Sequence, residues 1–135
     1  KKQKTLYLGN LYSKRDWGHA RDYVQAMWLM LQQKKPVDLV IATGKQSTVK
    51  NFVNKVSKKL NMKIFWKGKG INEKAVDILG NTIVACDKNY YRPLEVNSLL
   101  GDSRKARKVL KWKPETNLDN LISEMVNLEM NRPNN

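Results

Sequence analysis

The sequence predicts an α/β fold that combines a mixed sheet with about four helices. One observation is a nearly continuous apolar run, Val37–Ala42, which is typical of a strand buried on both faces. Another is that several segments repeat apolar residues with the spacing of a half-buried helix. The composition agrees, because 135 residues with 41% apolar and 28% charged side chains can bury one modest core.

The first third of the chain is predicted to run strand, helix, strand. Leu6–Leu8 precedes Gly9 and Asn10, an order that is typical of a short strand closed by a turn. A helix is predicted from about residue 19 to residue 33, ended by Pro36. Its apolar stripe, typical of a half-buried helix, consists of Ala20, Tyr23, Val24, Met27, Trp28 and Leu31, and we expect Trp28 to be a core residue. The buried strand Val37–Ala42 follows.

The middle of the chain is predicted to continue with a helix and two strands. Ser47 or Thr48 can cap the helix, because a hydroxyl accepts a hydrogen bond from the first free backbone N–H groups. The apolar side of this helix consists of Val49, Phe52, Val53, Val56 and Leu60. Strands are expected at Met62–Trp66 and Thr82–Cys86, separated by a glycine-containing turn, Gly68–Gly70.

Two helices are predicted in the last third. The first starts at Asp102 or Ser103 and carries apolar residues at Ala106, Val109 and Leu110. Pro114 separates it from the second, for which Thr116 and Asp119 have the spacing of a capping box. The last residues, 131–135, are expected to fray.

The charge is strongly positive and uneven. Twenty-six basic residues against 12 acidic ones give +14, and residues 1–68 alone hold 15 basic and 3 acidic residues. Such a surface can attract nucleic acid, anionic lipid or a phosphorylated ligand. Lys outnumbers Arg by 20 to 6 and the lysines are spread singly, which favours a solvated surface. The apolar runs are too short for a membrane span, so we expect a cytoplasmic protein with no membrane partner.

The sequence offers no catalytic motif and no metal site. The single histidine, His19, and the single cysteine, Cys86, cannot supply a catalytic triad or a zinc site on their own. We expect a structural role for His19 near the start of the first helix and a packed core thiol for Cys86. Gly68–Gly70 is too short for a phosphate-binding loop.

Two short clusters have the chemistry of a nucleotide site. Arg15-Asp16-Trp17 precedes the first helix, and the segment 91–95 places Arg92 and Glu95 after a strand. A guanidinium donates two parallel hydrogen bonds to a phosphate, and a carboxylate accepts hydrogen bonds from ribose hydroxyls. The alternative is that these residues form ordinary surface ion pairs.

Many segments of the chain, taken in order, resemble GDP-mannose 4,6-dehydratases of the extended short-chain dehydrogenase/reductase superfamily. The resemblance covers nearly the whole chain, and the Arg15–Ala20 stretch is its most specific part. The matching segments are Leu8–Leu11, Arg15–Ala20, Asp22–Val24, Ala26–Gln32, Val40–Gly44, Tyr91–Pro93, Glu95-Val96, Leu100–Asp102, Lys105-Ala106 and Trp112–Pro114.

The resemblance implies the carboxy-terminal part of an extended Rossmann-type enzyme. Full-length members are lyases with an NADP-binding Rossmann domain, and they convert GDP-mannose to GDP-4-keto-6-deoxymannose in GDP-fucose biosynthesis. Residues 1–135 would form the part that binds the sugar nucleotide, with about 19–60 completing the Rossmann side. The family's glycine-rich fingerprint and its Tyr-x-x-x-Lys pair are absent, and the chain starts with Lys1. The catalytic amino-terminal domain is therefore expected to be absent, leaving this chain inactive and without NADP.

The resemblance also implies roles for particular residues. Arg15 and Arg92 correspond to the arginines that bind the substrate diphosphate, and Glu95 to the acid that binds ribose. The strand end formed by Leu8, Gly9 and Asn10 corresponds to the backbone edge that meets the base. Tyr12 departs from the family pattern, which usually has Asp or another small polar residue there. GDP-mannose or GDP is the expected ligand, and the family forms homodimers and homotetramers.

Two alternatives to this interpretation stay open. The chain can be part of a related nucleotide-sugar epimerase or dehydratase, in which case UDP would bind as well as GDP. It can also be a basic nucleic-acid-binding module, whose affinity would fall steeply with salt.

Overall fold

The computed structural model describes residues 3–92 and 96–132. They form two compact units: unit 1 comprises Lys1–Ser13 and Thr48–Asn97, and unit 2 comprises Lys14–Ser47 and Ser98–Asn135. In chain order the elements are β1 (Leu6–Leu8), β2 (Lys14–Asp16), α1 (Ala20–Leu31), β3 (Gln46–Thr48), α2 (Val49–Lys59), β4 (Phe65–Lys67), β5 (Lys74–Val76), β6 (Thr82–Cys86), α3 (Arg104–Leu110) and α4 (Leu118–Met130), with 3-10 turns at Gly70–Asn72 and Lys88–Tyr90.

Unit 1 is organised by a four-stranded mixed sheet. The strand order is β1-β6-β5-β4, with β1 parallel to β6 and the other two pairs antiparallel. In the parallel pair, Leu6 lies opposite Val84 and Leu8 opposite Cys86. The buried apolar residues of unit 1 are Leu11, Ala75, Val76 and Val84. Because β1 and β6 are parallel, their carboxyl ends lie at the same edge of the sheet.

Unit 2 is mainly helical. The buried core cluster consists of Ala26 on α1, Leu110 on α3 and Trp112 just beyond α3. Trp112 Nε1 donates a hydrogen bond of 3.0 Å to the backbone oxygen of Asp22, so the indole N–H has a partner inside this core. β2 pairs with β3, whose last residue, Thr48, starts the second segment of unit 1.

The predicted mixed sheet and four helices are confirmed. The strands Leu6–Leu8 and Thr82–Cys86 have the predicted bounds, and Thr48 caps α2 by accepting from the backbone N–H of Asn51. His19 caps α1 in the same way, as its expected structural role requires. Of the terminal residues that are expected to fray, 133–135 lie outside the described residues.

Three expectations are wrong. Val37–Ala42 is not a strand of either sheet within the described residues, and Val40 is 53% exposed. Trp28 is not a core residue, because it is 60% exposed. The cap of α4 is Asn117, which accepts from the backbone N–H of Asn120, rather than the Thr116 and Asp119 box. Thr116 instead donates its backbone N–H to Asp22, and that hydrogen bond takes it out of the capping position.

Three short strands, β2, β3 and β5, are not predicted from the sequence. Each has three residues, which is too short to show an alternating pattern, and β2 and β3 contain no apolar side chain. The strand expected at Met62–Trp66 begins later, at Phe65. Within residues 3–92 and 96–132, no helix is long and apolar enough to cross a membrane.

Candidate functional site

In unit 1, the carboxyl end of β1 is hydrogen-bonded to, and closely packed against, the segment that leads to Arg92. The backbone oxygen of Leu8 accepts a 2.9 Å hydrogen bond from the N–H of Asp87, directly after β6. A Cβ at Gly9 would collide with the backbone oxygen of Tyr90, so only glycine permits this close approach. The predicted base-binding edge and the segment that carries Arg92 therefore meet at one edge of the sheet.

Asn10 extends this contact. Its Oδ1 accepts a 2.9 Å hydrogen bond from the backbone N–H of Tyr12, and its Nδ2 donates to Oδ1 of Asn97 at 3.3 Å. Asn97 follows the stretch that includes Glu95, and Glu95 itself lies outside the described residues. Leu8–Asn10 thus contacts residues on both sides of that stretch.

Arg92 is exposed just beyond the 3-10 turn Lys88–Tyr90. The turn begins at Asp87, whose carboxylate accepts from the backbone N–H of Asn89 at 2.8 Å. This capping fixes how the chain leaves β6, and the turn ends two residues before Arg92. Ligands of α/β sheets bind beyond the carboxyl ends of the strands.

In unit 2, Arg15 lies on β2, half-buried, and donates from Nη1 to the backbone oxygen of Lys14 at 2.9 Å. The next residue, Asp16, holds the strand in place. Its carboxylate accepts from the backbone N–H and hydroxyl of Thr43 at 3.0 and 2.5 Å and from the N–H of Gly44 at 2.8 Å. Gly44 has a φ of +75°, which side chains rarely adopt, so the turn that supplies these donors favours glycine.

The rest of the Arg15–Ala20 motif has supporting contacts within unit 2. Trp17 Nε1 donates to the backbone oxygen of Ser47 at 3.0 Å. His19 accepts from the N–H of Arg21 through Nδ1, and its Nε2 lies 3.3 Å from Glu124 of α4. Asp22 is buried, and its carboxylate accepts the N–H groups of Glu115 and Thr116 at 3.1 and 2.9 Å. These residues therefore hold the chain around Arg15.

The five described residues of the predicted site fall into two groups. Leu8, Gly9, Asn10 and Arg92 belong to unit 1, where Leu8 and Gly9 contact the segment just before Arg92, whereas Arg15 belongs to unit 2. Whether the two guanidinium groups share one anion stays a prediction. Cys86 is partly buried, and burial, together with the nearby charge of Glu73, raises the pKa of its thiol, in line with the expected packed thiol.

Sequence analysis missed one charged cluster in unit 1. Nζ of Lys50 on α2 donates to Oε1 of Glu73 at 2.5 Å, next to the rings of Tyr12 and Trp66. The partners are 23 residues apart and belong to different elements, so spacing gives no signal for them. Of these four residues, the sequence points only to Tyr12, as a departure from the resemblance described above. Among the described residues, no group of three or more His, Cys, Asp or Glu side chains could hold a metal ion.

The sequence of the chain matches one family over most of its length. A family model described as GDP-mannose 4,6 dehydratase matches residues 1–125. The GDP-mannose 4,6-dehydratase of Sinorhizobium fredii is 51% identical over 126 residues, covering 93% of this chain and 36% of that protein. The human GDP-mannose 4,6 dehydratase is 49% identical over 124 residues, covering 91% of this chain and 33% of that protein. The chain thus spans about a third of the length of these relatives.

Solved structures share the fold at low sequence identity. The UDP-glucose 4-epimerase of Bifidobacterium longum, in complex with NAD+ and UDP, superposes with a TM-score of 0.70 at 16% identity, covering 95% of this chain and 35% of the epimerase. The dTDP-glucose 4,6-dehydratase of Bacillus anthracis, in complex with NAD, gives 0.68 at 18% identity, covering 95% and 35%. At this identity the match shows that the chain shares the fold of about a third of each of these structures.

Proposed function

The chain belongs to the GDP-mannose 4,6-dehydratase family, and from this premise we propose that it forms the part of such an enzyme that binds the sugar nucleotide. The observation that carries the proposal is the identity of 49–51% to dehydratases across more than nine tenths of the chain. The proposed substrate is GDP-mannose and the product GDP-4-keto-6-deoxymannose. The role of this part is to hold the substrate in position, which contributes to catalysis through orientation.

The proposed contacts follow the chemistry of GDP. Arg15 and Arg92 bind the diphosphate, because guanidinium forks match phosphate oxygens. Glu95 binds the ribose hydroxyls, and the backbone of Leu8, Gly9 and Asn10 meets the base. The close approach of Gly9 to Tyr90 supports this arrangement, because it brings the proposed base edge to the segment that carries Arg92.

NADP is the cofactor proposed for the full-length enzyme, and the residues of this chain do not fit it. The dinucleotide fingerprint needs three glycines in a turn between a strand and a helix. Gly68-Lys69-Gly70 has Glu73 at the third glycine position and leads into a 3-10 turn instead. The hydride steps therefore belong to residues of the longer enzyme, for which a cytoplasmic location and a homodimer or homotetramer stay predictions.

We also propose that an amino-terminal catalytic portion packs against residues 19–60. On α1 the apolar side chains Val24, Met27, Trp28 and Leu31 are 58–82% exposed, and Val37–Ala42 has the sequence of a buried strand. An exposed apolar stripe of this kind marks an interaction surface. The amino-terminal two thirds of the Sinorhizobium fredii relative should co-purify with this chain, and Trp28→Glu should prevent it. Lys63→Glu, at an exposed position outside residues 19–60, is the control, and loss of co-purification in both variants would contradict the proposed surface.

A nucleotide titration tests the binding proposal. We expect GDP to shift the NMR signals of Gly9, Asn10 and Arg92, and UDP to bind at least about tenfold more weakly. Arg15→Ala and Arg92→Ala should each weaken GDP binding about tenfold or more, because each removes charge-assisted hydrogen bonds. Arg132→Ala, an exposed arginine paired with Glu129, is the matched control.

Each other outcome points to a different function. Equal binding of UDP would favour a related nucleotide-sugar enzyme. Absence of nucleotide binding, together with polyanion binding that falls steeply with salt, would favour the basic nucleic-acid-binding module.

A further inference from the structure

The charged cluster of unit 1 is built around a buried carboxylate. Glu73 is 3% exposed, and its Oε1 accepts from Nζ of Lys50 at 2.5 Å. The Lys50 ammonium lies 5.3 Å from the ring centroid of Tyr12 and 4.8 Å from that of Trp66, within the range of cation–π attraction. One cation is thus held by a carboxylate and two rings.

The electrostatics keep this pair charged. Burial alone raises the pKa of Glu73, but hydrogen bonds from Lys50 and Tyr12 and the charge of Lys50 outweigh it and hold that pKa below its usual value. The hydrogen bond to Glu73 raises the pKa of Lys50. Among the described residues, Oε2 of Glu73 has no hydrogen-bond partner. The buried carboxylate therefore depends on Lys50, and removal of this lysine leaves an uncompensated charge.

The cluster is attached to the loop that follows the proposed base edge. The first two backbone N–H groups of α2 hold this loop: Lys50 donates to the oxygen of Leu11 at 2.8 Å and Val49 to that of Ser13 at 3.2 Å. Between these anchors, Nζ of Lys50 donates to the hydroxyl of Tyr12 at 3.4 Å. Residues 11–13 are therefore fixed by α2 through both main chain and side chain.

The attachment continues to the base edge itself from two directions. The backbone N–H of Tyr12 donates to Oδ1 of Asn10, so the position of Asn10 depends on that of Tyr12. The backbone oxygen of Glu73 accepts from the N–H of Cys86, the β6 residue in register with Leu8. A displacement of the Lys50–Glu73 pair would therefore move both Leu8 and Asn10.

We propose that the Lys50–Glu73 ion pair, covered by Tyr12, is a positioning cluster that holds Leu8–Asn10 in the geometry that binds the base of the nucleotide. This inference rests on the proposed function. The cluster touches neither the base nor the reacting atoms, and it acts through the loop 11–13. The ring of Tyr12 supplies the cover over Lys50.

Substitution of Lys50 tests the proposal with GDP as the probe and the 135-residue chain as the protein. Lys50→Met removes the cation and keeps the length of the side chain. We expect it to weaken GDP binding about tenfold in calorimetry and to shift the free-state NMR amides of Gly9 and Asn10. Lys50→Arg, which still donates to a carboxylate, should stay within about threefold of the original chain. Lys58→Met removes an exposed lysine of the same helix and should leave affinity and amides unchanged.

A second variant separates positioning from stability. Because Lys50→Met leaves Glu73 unpaired, it also lowers stability, whereas Lys50→Met with Glu73→Met removes both charges and should recover most of it. The positioning role requires that the double variant still binds GDP weakly. Recovery of affinity together with stability would overturn the proposal, as would unchanged affinity in Lys50→Met. Failure of the original chain to bind GDP would instead overturn the proposed function, and this inference with it.

Discussion

Helices α1 and α2 have similar apolar stripes that differ in burial. On α2 the side chains of Val49, Phe52, Val53 and Val56 are all at least partly buried. On α1 the corresponding stripe, Val24, Met27, Trp28 and Leu31, is exposed by 58–82%. Periodicity therefore predicts where a helix lies and which face is apolar, but not whether the residues that cover this face belong to the same chain.

The largest effect expected from this comparison concerns two tryptophans of unit 2. Trp112 is 3% exposed and hydrogen-bonded to Asp22, so Trp112→Ala should lower the free energy of unfolding by about 3–5 kcal/mol. Trp28→Ala, on the exposed face of α1, should cost less than about 1 kcal/mol. Urea denaturation followed by circular dichroism measures both. Similar losses for the two variants would mean that the α1 face is covered in solution.

Two valines give a smaller effect with identical chemistry. Val53→Ala on α2 should cost about 1 kcal/mol, because it removes two methyl groups from a partly buried position. Val24→Ala on α1 should be neutral or stabilise by a few tenths of a kcal/mol, roughly the gain in helix propensity. The same denaturation experiment compares them. Equal destabilisation by both substitutions would mean that the two valines are buried to the same extent in solution.

The two units also differ in how their ion pairs respond to pH. Glu73, buried in unit 1, has a pKa below its ordinary 4.5, so its stabilising contribution is present above about pH 4.5 and is lost as the pH falls through the lower, folded value. Acid unfolding of Glu73→Gln should therefore be less steep than that of the original chain. The control is Glu115→Gln, an exposed carboxyl of unit 2. If the pH dependence of unfolding below about pH 4.5 were unchanged in Glu73→Gln, the charged state assigned to this pair would be contradicted.

The smallest effect is expected at the exposed pair of unit 2. Hydrogen bonds from the side chain and backbone of Arg104 lower the pKa of Asp102 to about 2. Arg104→Ala should raise it toward 3.8, as followed by NMR of the carboxyl carbon, with little change in the midpoint of unfolding. Arg132→Ala serves as the control. A marked loss of stability in Arg104→Ala would show that this exposed pair does more than shift a titration.

What the sequence predicts well is local. Thr48 lies directly before an amphipathic segment and does cap α2, and the apolar strand Thr82–Cys86 has its predicted bounds. What fails depends on distant partners. Val37–Ala42 has the composition of a buried strand, but a strand requires a neighbour along its backbone. The Lys50–Glu73 pair joins a helix to a strand end, and nothing in the spacing of its two residues marks the contact.

The candidate site also has some features that the local sequence predicts and others that depend on distant residues. Gly9 is predicted from a motif, whereas the reason that it must be glycine, the carbonyl of Tyr90, comes from a residue 81 positions away. Arg15 and Arg92 could be proposed from their motifs alone. Their supports, such as the Thr43–Gly44 turn that holds Asp16, are set by tertiary contacts that the motifs do not encode.

The segment Val37–Ala42 affects the tendency of the protein to aggregate. Within the described residues this apolar stretch is paired in neither sheet, and its composition is that of segments that form intermolecular β-structure when they become exposed. Asp38 is the only charge within it and acts as its gatekeeper against such growth. We expect Asp38→Asn, which removes this carboxylate, to increase the tendency of the chain to form fibrils or inclusion bodies.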